Sequence, residues 1–318
     1  MNKTIKIPLI VIAITGILVF ILLGRIQPTH QLKFLSMNTE VDILVYDKFN
    51  KNVDKANEEI FNLFYTLDSL WNPYDSNSEI TAINNNAGYN SVKVNKMSFE
   101  LIKTAIYFNQ NISSNFNIAI GPLVSLWKKS AKQNKIPCDC MVSAYKKRFL
   151  DNKNIILDSI NQTVFLKQRD MKLDFGAIAK GFAQKEVIKI MKKNKIKYFI
   201  GNSGGDMFVS SKYFRSFAIG IKNPKDKNAI KKIISVKNSG VATSGDYERF
   251  YIIENKQFSH IINPQTGFPA KKTTSSTVIH SNPLMADIWA TTLSINSDDT
   301  LLKKLASQKG KSFLINKE

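Results

Sequence analysis

The sequence predicts an α+β fold: a single domain of mixed sheets with packed helices, preceded by one N-terminal transmembrane or signal-anchor helix. Three observations predict it. Strand-like alternation and helix-like spacing occur side by side without a regular βαβ repeat. No internal repeat or low-complexity tract divides the chain. Residues 7–24 (IPLIVIAITGILVFILLG) run without a charge, close to the length of a helix that crosses a bilayer.

Lys3 and Lys6 precede the apolar run, which favours a cytoplasmic N-terminus and an exported remainder. A cleaved secretory signal has a shorter apolar core, so an uncleaved anchor in the cytoplasmic membrane is expected, with the globular domain on the extracytoplasmic side. No cysteine lies near the end of the run, which excludes a lipid-modified cysteine. Residues 1–30 are therefore read as anchor plus short linker and 31–318 as the globular domain.

The 318 residues are 43% hydrophobic and 22% charged, an ordinary globular composition with enough chain to bury a sizeable core. The formal charge of +20 suits nucleic acid, anionic lipid or a polyanionic small molecule. There is no arginine-rich stripe with interleaved aromatics, so no nucleic-acid partner is expected. Cys138 and Cys140 are the two cysteines. With no histidine nearby they make a poor metal site, and a bridge across so short a loop is expected to be strained. They are read as incidental residues of an irregular loop over 133–142.

Residues 33–46 contain Val41, Ile43 and Val45 in alternation and predict a strand. Val53, Ala56, Ile60, Phe64 and Leu67 recur at helical spacing and predict an amphipathic helix over 51–70, closed by a polar turn at 72–78. Further helices are expected over 98–109, 284–294 and 299–308, and from near Ala177 to Lys193. Short strands are expected at 163–168, 197–201, 216–221, 249–253 and 276–280.

Five stretches are candidates for chemistry. In Leu173–Phe182 (LDFGAIAKGF) a glycine turn enters a helix, presenting free amides and a positive dipole end that suit a phosphate, with Lys180 adding charge. The spacing is not that of a Walker A loop, and the same glycines would equally permit tight helix packing. Asp287 and Thr291 are four apart on a helix and share a face; one carboxylate with one hydroxyl suits Mg²⁺, which retains waters and takes substrate phosphate oxygens. The plainer alternative is a surface aspartate and a threonine bonded to its own backbone. His260, in SHIINPQTG, is a candidate proton carrier or a structural histidine. Gly204-Gly205-Asp206 and Thr243-Ser244-Gly245-Asp246 are two further glycine–acid turns, for each of which ordinary turn chemistry is the plainer alternative.

Read in order, these segments resemble the ApbE family, the FAD:protein FMN transferases. The resemblance runs from Met37-Asn38-Thr39 through LDSLWNPYDSNSEITAIN (67–84), FNIAIGPLV (116–124), DFGAIAKGFA, SGGD, TSGDYERF, SHIINPQTG and Ala286-Asp287 to Thr291, nearly the whole chain after the anchor. It implies Mg²⁺ held by Asp287, Thr291 and the backbone carbonyl of Ala177. It implies FAD contacts from Met37, the Asn72-Pro73-Tyr74 turn, Asn117, Lys180 and the backbone at Ile261. His260 would lie beside the flavin and assist proton removal. The implied reaction joins FMN through its phosphate to a threonine hydroxyl of an acceptor flavoprotein and releases AMP, the acceptors being subunits of membrane or exported electron-transfer systems. Water in place of threonine would make the protein an FAD pyrophosphatase, and absence of cleavage a flavin-binding protein. Two positions depart from the family: Asn38 replaces a glycine, and Asn117 stands where Asp is usual, keeping hydrogen bonds and losing a charge.

Overall fold

The computed structural model describes residues 27–47, 50–211, 215–224, 226–245, 250–270 and 273–316. In chain order its elements are β1 (His30–Ser36), β2 (Thr39–Val45), α1 (Val53–Trp71), α2 (Glu79–Asn85), β3 (Val92–Lys93), α3 (Lys96–Asn111), α4 (Gly121–Lys132), α5 (Asp139–Phe149), β4 (Ile155–Asp158) and β5 (Thr163–Leu166). Then follow α6 (Ala179–Lys193), β6 (Phe199–Ser203), β7 (Asp206–Ser210), β8 (Phe217–Asn223), β9 (Asp226–Val236), β10 (Ser239–Gly245), β11 (Phe250–Ile253), β12 (Lys256–Ser259), β13 (Thr273–His280), α7 (Pro283–Ile295), α8 (Asp299–Ser307) and β14 (Lys311–Asn316). The α+β class is as expected.

The main sheet is antiparallel, seven strands in the order β1-β2-β6-β7-β10-β13-β14. Alternation along its strands sends neighbouring residues to opposite faces. Phe199, Phe208, Ala242 and Val278 join the principal core with α1, α6 and α7. Their neighbours Ile200, Val209, Val241 and Ile279 join a second cluster on the opposite face, covered by the β8–β9 hairpin. A third cluster, including Leu123, Trp127, Val142, Ile253 and Ile262, joins α4 and α5 to the segment around β11 and β12.

α7 is buried almost all round, including Leu284, Ala286, Asp287, Ile288 and Trp289. That is the pattern of a core helix, and it packs between sheet and α6. Fully buried Phe182 and Ile288 each stabilise this layer by roughly 1.5–3 kcal/mol. A carboxylate inside such a helix must be paired, and Asp287 is where the packing turns into chemistry.

Several sequence expectations change. The strand expected over 33–46 is a hairpin: Ser36 pairs with Thr39, and Met37 (φ 53°) and Asn38 (φ 57°) form the two-residue turn with both residues left-handed. Asparagine tolerates that conformation, which explains how it replaces a glycine there. The loop expected over 133–142 contains the start of α5, and α2 and α4 were not anticipated. Cys138 and Cys140 are not incidental: they are disulfide-bonded, and Cys138 Sγ caps α5 by accepting from the Met141 amide at 3.3 Å. The expected anchor at 7–24 lies outside the described residues; among the described residues no helix is long and apolar enough to cross a membrane.

Candidate active site

Strand register brings several chain segments to one end of the main sheet. The Met37–Asn38 turn closes β1–β2, the Gly204–Gly205 turn closes β6–β7, and Gly245 at the end of β10 pairs with Ser275 of β13. Gly204 and Gly205 have φ of 60° and 97°, and the Gly204 amide donates to the Glu40 carbonyl at 2.9 Å. A side chain at 204 would run into Thr39 Oγ1, so glycine lets the two turns close on each other.

Behind these turns α6 crosses α7. The amide of Gly181, which a regular helix would close onto the carbonyl of Ala177, donates instead to Asp287 Oδ2 at 2.8 Å. The crossing is close: a Cβ at 181 would lie 2.6 Å from the Asp287 Cβ and 2.8 Å from the Pro283 carbonyl oxygen. Gly181 thus serves both close packing and the carboxylate. Asp287 is 3% exposed. Burial, and next the charge of Asp206, push its carboxyl up to about 7, against the opposing pull of Lys180 and the Gly181 amide.

Asp206, also 3% exposed, forms an ion pair with Lys180 and accepts the Thr243 amide at 3.1 Å. Thr291 Oγ1 shares a hydrogen bond with Ser244 Oγ at 3.1 Å. Its neighbour Thr292 donates instead to the Ile288 carbonyl at 2.8 Å, so the backbone-bonded threonine belongs to position 292. Asp287, Thr291, Lys180 and the turn bearing Ala177 therefore meet at one end of the sheet.

The other expected residues lie on separate elements, each held by its own local contacts. Met37 donates its amide to Asp68 Oδ1 at 3.1 Å, fixing the hairpin tip on α1. Asn72 caps the end of α1 and its Oδ1 accepts the Tyr74 amide at 3.0 Å, shaping the turn around Pro73. Tyr74 is 74% exposed, with Lys128 Nζ 5.6 Å from its ring centroid. Tyr251 is held above the usual tyrosine range by burial first, then by Asp174 and Tyr74, which places the glycine turn and the Asn72–Tyr74 turn in electrical reach of β11. Asn117 is buried; its Oδ1 accepts the Ala119 amide and its Nδ2 donates to the Leu150 carbonyl, both at 2.8 Å. The next residue, Ile118, accepts the amide of Asp174, tying this cap to the glycine turn.

His260 and Ile261 belong to the β12 loop, a different unit. The Ile261 amide donates to Ser259 Oγ at 3.1 Å and its carbonyl accepts from Ala270 at 2.8 Å. Trp127 Nε1 and Lys146 Nζ hold the same loop through the carbonyls of Gly267 and Gln265. His260 is half-buried at its start. A cleft of about 700 Å³ lies apart from all of these, between α4 and α5.

The donors at the centre fit Mg²⁺. A carboxylate, a hydroxyl and a carbonyl are hard oxygens, too few to enclose an ion, and suited to one that keeps waters and substrate phosphate. Among the described residues no group of three or more His, Cys, Asp or Glu side chains stands ready to hold a metal by itself. With its carboxyl pushed up to about 7, Asp287 would be relieved by a cation in the place of its proton. Asp206, Thr243 and Ser244 lie in stretches that the sequence offers only as glycine–acid turns; Asp206 instead opens β7, Thr243 and Ser244 lie within β10, and nothing in their spacing points across the sheet.

Comparison with known proteins places the chain in a family. The ApbE family model matches residues 37–315. The chain is 32% identical over 236 residues to a Klebsiella pneumoniae (strain 342) protein named FAD:protein FMN transferase, covering 74% of this chain and 73% of that protein. It is 31% identical over 254 residues to one of the same name from Treponema pallidum (strain Nichols), covering 74% and 70%. The crystal structure of the ApbE protein from Thermotoga maritima shares the fold, with TM-score 0.81 at 24% identity over 90% of this chain and 94% of that one. With the sequence motifs in family order and the fold in common, this chain belongs to the ApbE family.

Proposed function

We propose that this protein transfers FMN from FAD to a threonine hydroxyl of an acceptor flavoprotein, releasing AMP in an Mg²⁺-dependent reaction. One observation carries the reading: Asp287, Thr291 and Lys180 meet beside the glycine turn that opens α6. Oxygen donors and a basic group side by side suit a nucleotide diphosphate and its counter-ion. The names of the relatives point to the same substrate and reaction.

In this reading Asp287, Thr291 and the Ala177 carbonyl would hold Mg²⁺, which when bound offsets phosphate charge and assists departure of AMP. Lys180 binds the diphosphate at the head of α6, where the helix dipole adds to its charge. Met37, the Asn72-Pro73-Tyr74 turn, Asn117 and the backbone at Ile261 line the flavin side. The acceptor oxygen forms the new bond to the FMN phosphorus as the bond to the AMP oxygen breaks, and His260 takes the hydroxyl proton. The threonine belongs to the acceptor, so no nucleophile of this chain is needed. The N-terminal segment would tether the domain to the cytoplasmic membrane on its outer side, facing acceptors of membrane or exported electron-transfer systems.

The test is intact-mass measurement of an acceptor after incubation with the domain, FAD and Mg²⁺. The expected result is a mass increase of one FMN, abolished by a chelator and by replacing the acceptor threonine with valine. AMP release with no adduct on any threonine-bearing acceptor would reduce the protein to a pyrophosphatase.

A further inference from the structure

We infer that Asp206 is a positioning residue of this site, aiming Lys180 at the diphosphate. The inference deepens the proposed function and rests on it. Lys180 is the second residue of α6, at the end of a flexible four-carbon stem. Unguided, its ammonium would spread over several rotamers in solvent, or settle wholly on Asp287, the expected metal ligand. The Asp206 carboxylate prevents both by engaging Lys180 from the neighbouring strand.

Asp206 is itself fixed from three sides. It is the first residue of β7, directly after the Gly204–Gly205 turn. That turn is tied to the flavin-side hairpin by the Gly204 amide, which donates to the Glu40 carbonyl, and packs so close to Thr39 that no side chain fits at 204. Its second oxygen, Oδ1, accepts the Thr243 amide, and the next residue, Ser244, is bonded to Thr291. One buried carboxylate thus connects the flavin-side turn, the phosphate-side lysine and the strand that supports a metal-side hydroxyl. A surface ion pair would hold little, whereas this acceptor is nearly sealed from water and hydrogen-bonded on both oxygens.

The experiment is a double-mutant cycle on the whole catalytic domain, D206N, K180A and D206N/K180A, with D206E as the variant that keeps the charge. FAD affinity is read by flavin fluorescence without metal, and turnover by AMP release with Mg²⁺; melting curves confirm folding. If Asp206 acts through Lys180, D206N weakens FAD affinity roughly tenfold, as K180A does, and the double variant is within about twofold of K180A alone. D206E falls between wild type and D206N. Should D206N fail to fold, the same cycle run with D206E decides. Unchanged affinity in D206N, or losses that multiply in the double variant, overturn the inference while leaving the proposed function intact. An unaltered domain that binds no FAD either with or without Mg²⁺ overturns both.

Discussion

The Gly181 amide and the Asp287 carboxylate meet at 2.8 Å where α6 crosses α7, and that bond joins the fold to its chemistry. It gives a buried acid one donor, leaves the carbonyl of Ala177 without its helical partner, and demands a residue with no side chain at 181.

Gly181→Ala tests that demand. The added methyl would sit 2.6 Å from the Asp287 Cβ and 2.8 Å from a backbone oxygen, so α6 and α7 must separate. Overpacking of this kind costs about 1–3 kcal/mol. A lowered melting temperature together with weaker metal-dependent FAD cleavage is expected; wild-type stability would mean that the helices are less tightly apposed.

Asp287→Asn keeps the shape and removes the charge. Metal-dependent AMP release should drop at least about a hundredfold with the fold retained by circular dichroism, as expected for loss of a metal ligand. Unchanged turnover would remove Asp287 from the site.

The acid–base behaviour of Asp287 gives a prediction with a definite sign. Its carboxyl is raised from the ordinary 3.8 to about 7, so the folded metal-free protein holds this proton more tightly than the unfolded chain. Its contribution to stability is complete below 3.8, is lost as pH rises toward 7, and changes no further above that. A bound cation takes the proton's place, so Mg²⁺ should raise the melting temperature more at pH 8 than at pH 5. The difference should vanish in Asp287→Asn. An equal Mg²⁺ effect at both pH values in the unaltered protein contradicts the assignment.

Asn117→Asp restores the residue usual in the family. It keeps the acceptor for Ala119 and places a carboxylate oxygen against the Leu150 carbonyl, which now receives an N–H. Loss of that donor should destabilise by about 1–3 kcal/mol, measurable by denaturant titration. No change would show that the α5 end relaxes freely around this position.

Much of this was legible in the sequence where local rules coincide with the fold. The α1 spacing and Ala179–Lys193 follow helical periodicity, Asp299–Ser307 adds the Asp298 cap, and Asp287 and Thr291 share a face because helix geometry requires it. The hairpin at Met37–Asn38 was hidden because neither residue is glycine, although both adopt left-handed backbone. α4 and α5 escaped because their apolar residues serve a separate cluster and are interrupted by lysines. Asp206 and Ser244 were read as turn residues; their partners, Lys180 and Thr291, are brought to them only by strand order and helix crossing.

The most direct test of the site is a crystal structure of the catalytic domain with FAD and Mn²⁺ in place of Mg²⁺, using the metal's anomalous signal to locate it. The account predicts a peak shared by the Asp287 carboxylate, the Thr291 hydroxyl and the Ala177 carbonyl, with the FAD diphosphate alongside and Lys180 turned toward it. A metal peak away from Asp287, or a diphosphate bound elsewhere on the domain, would contradict it.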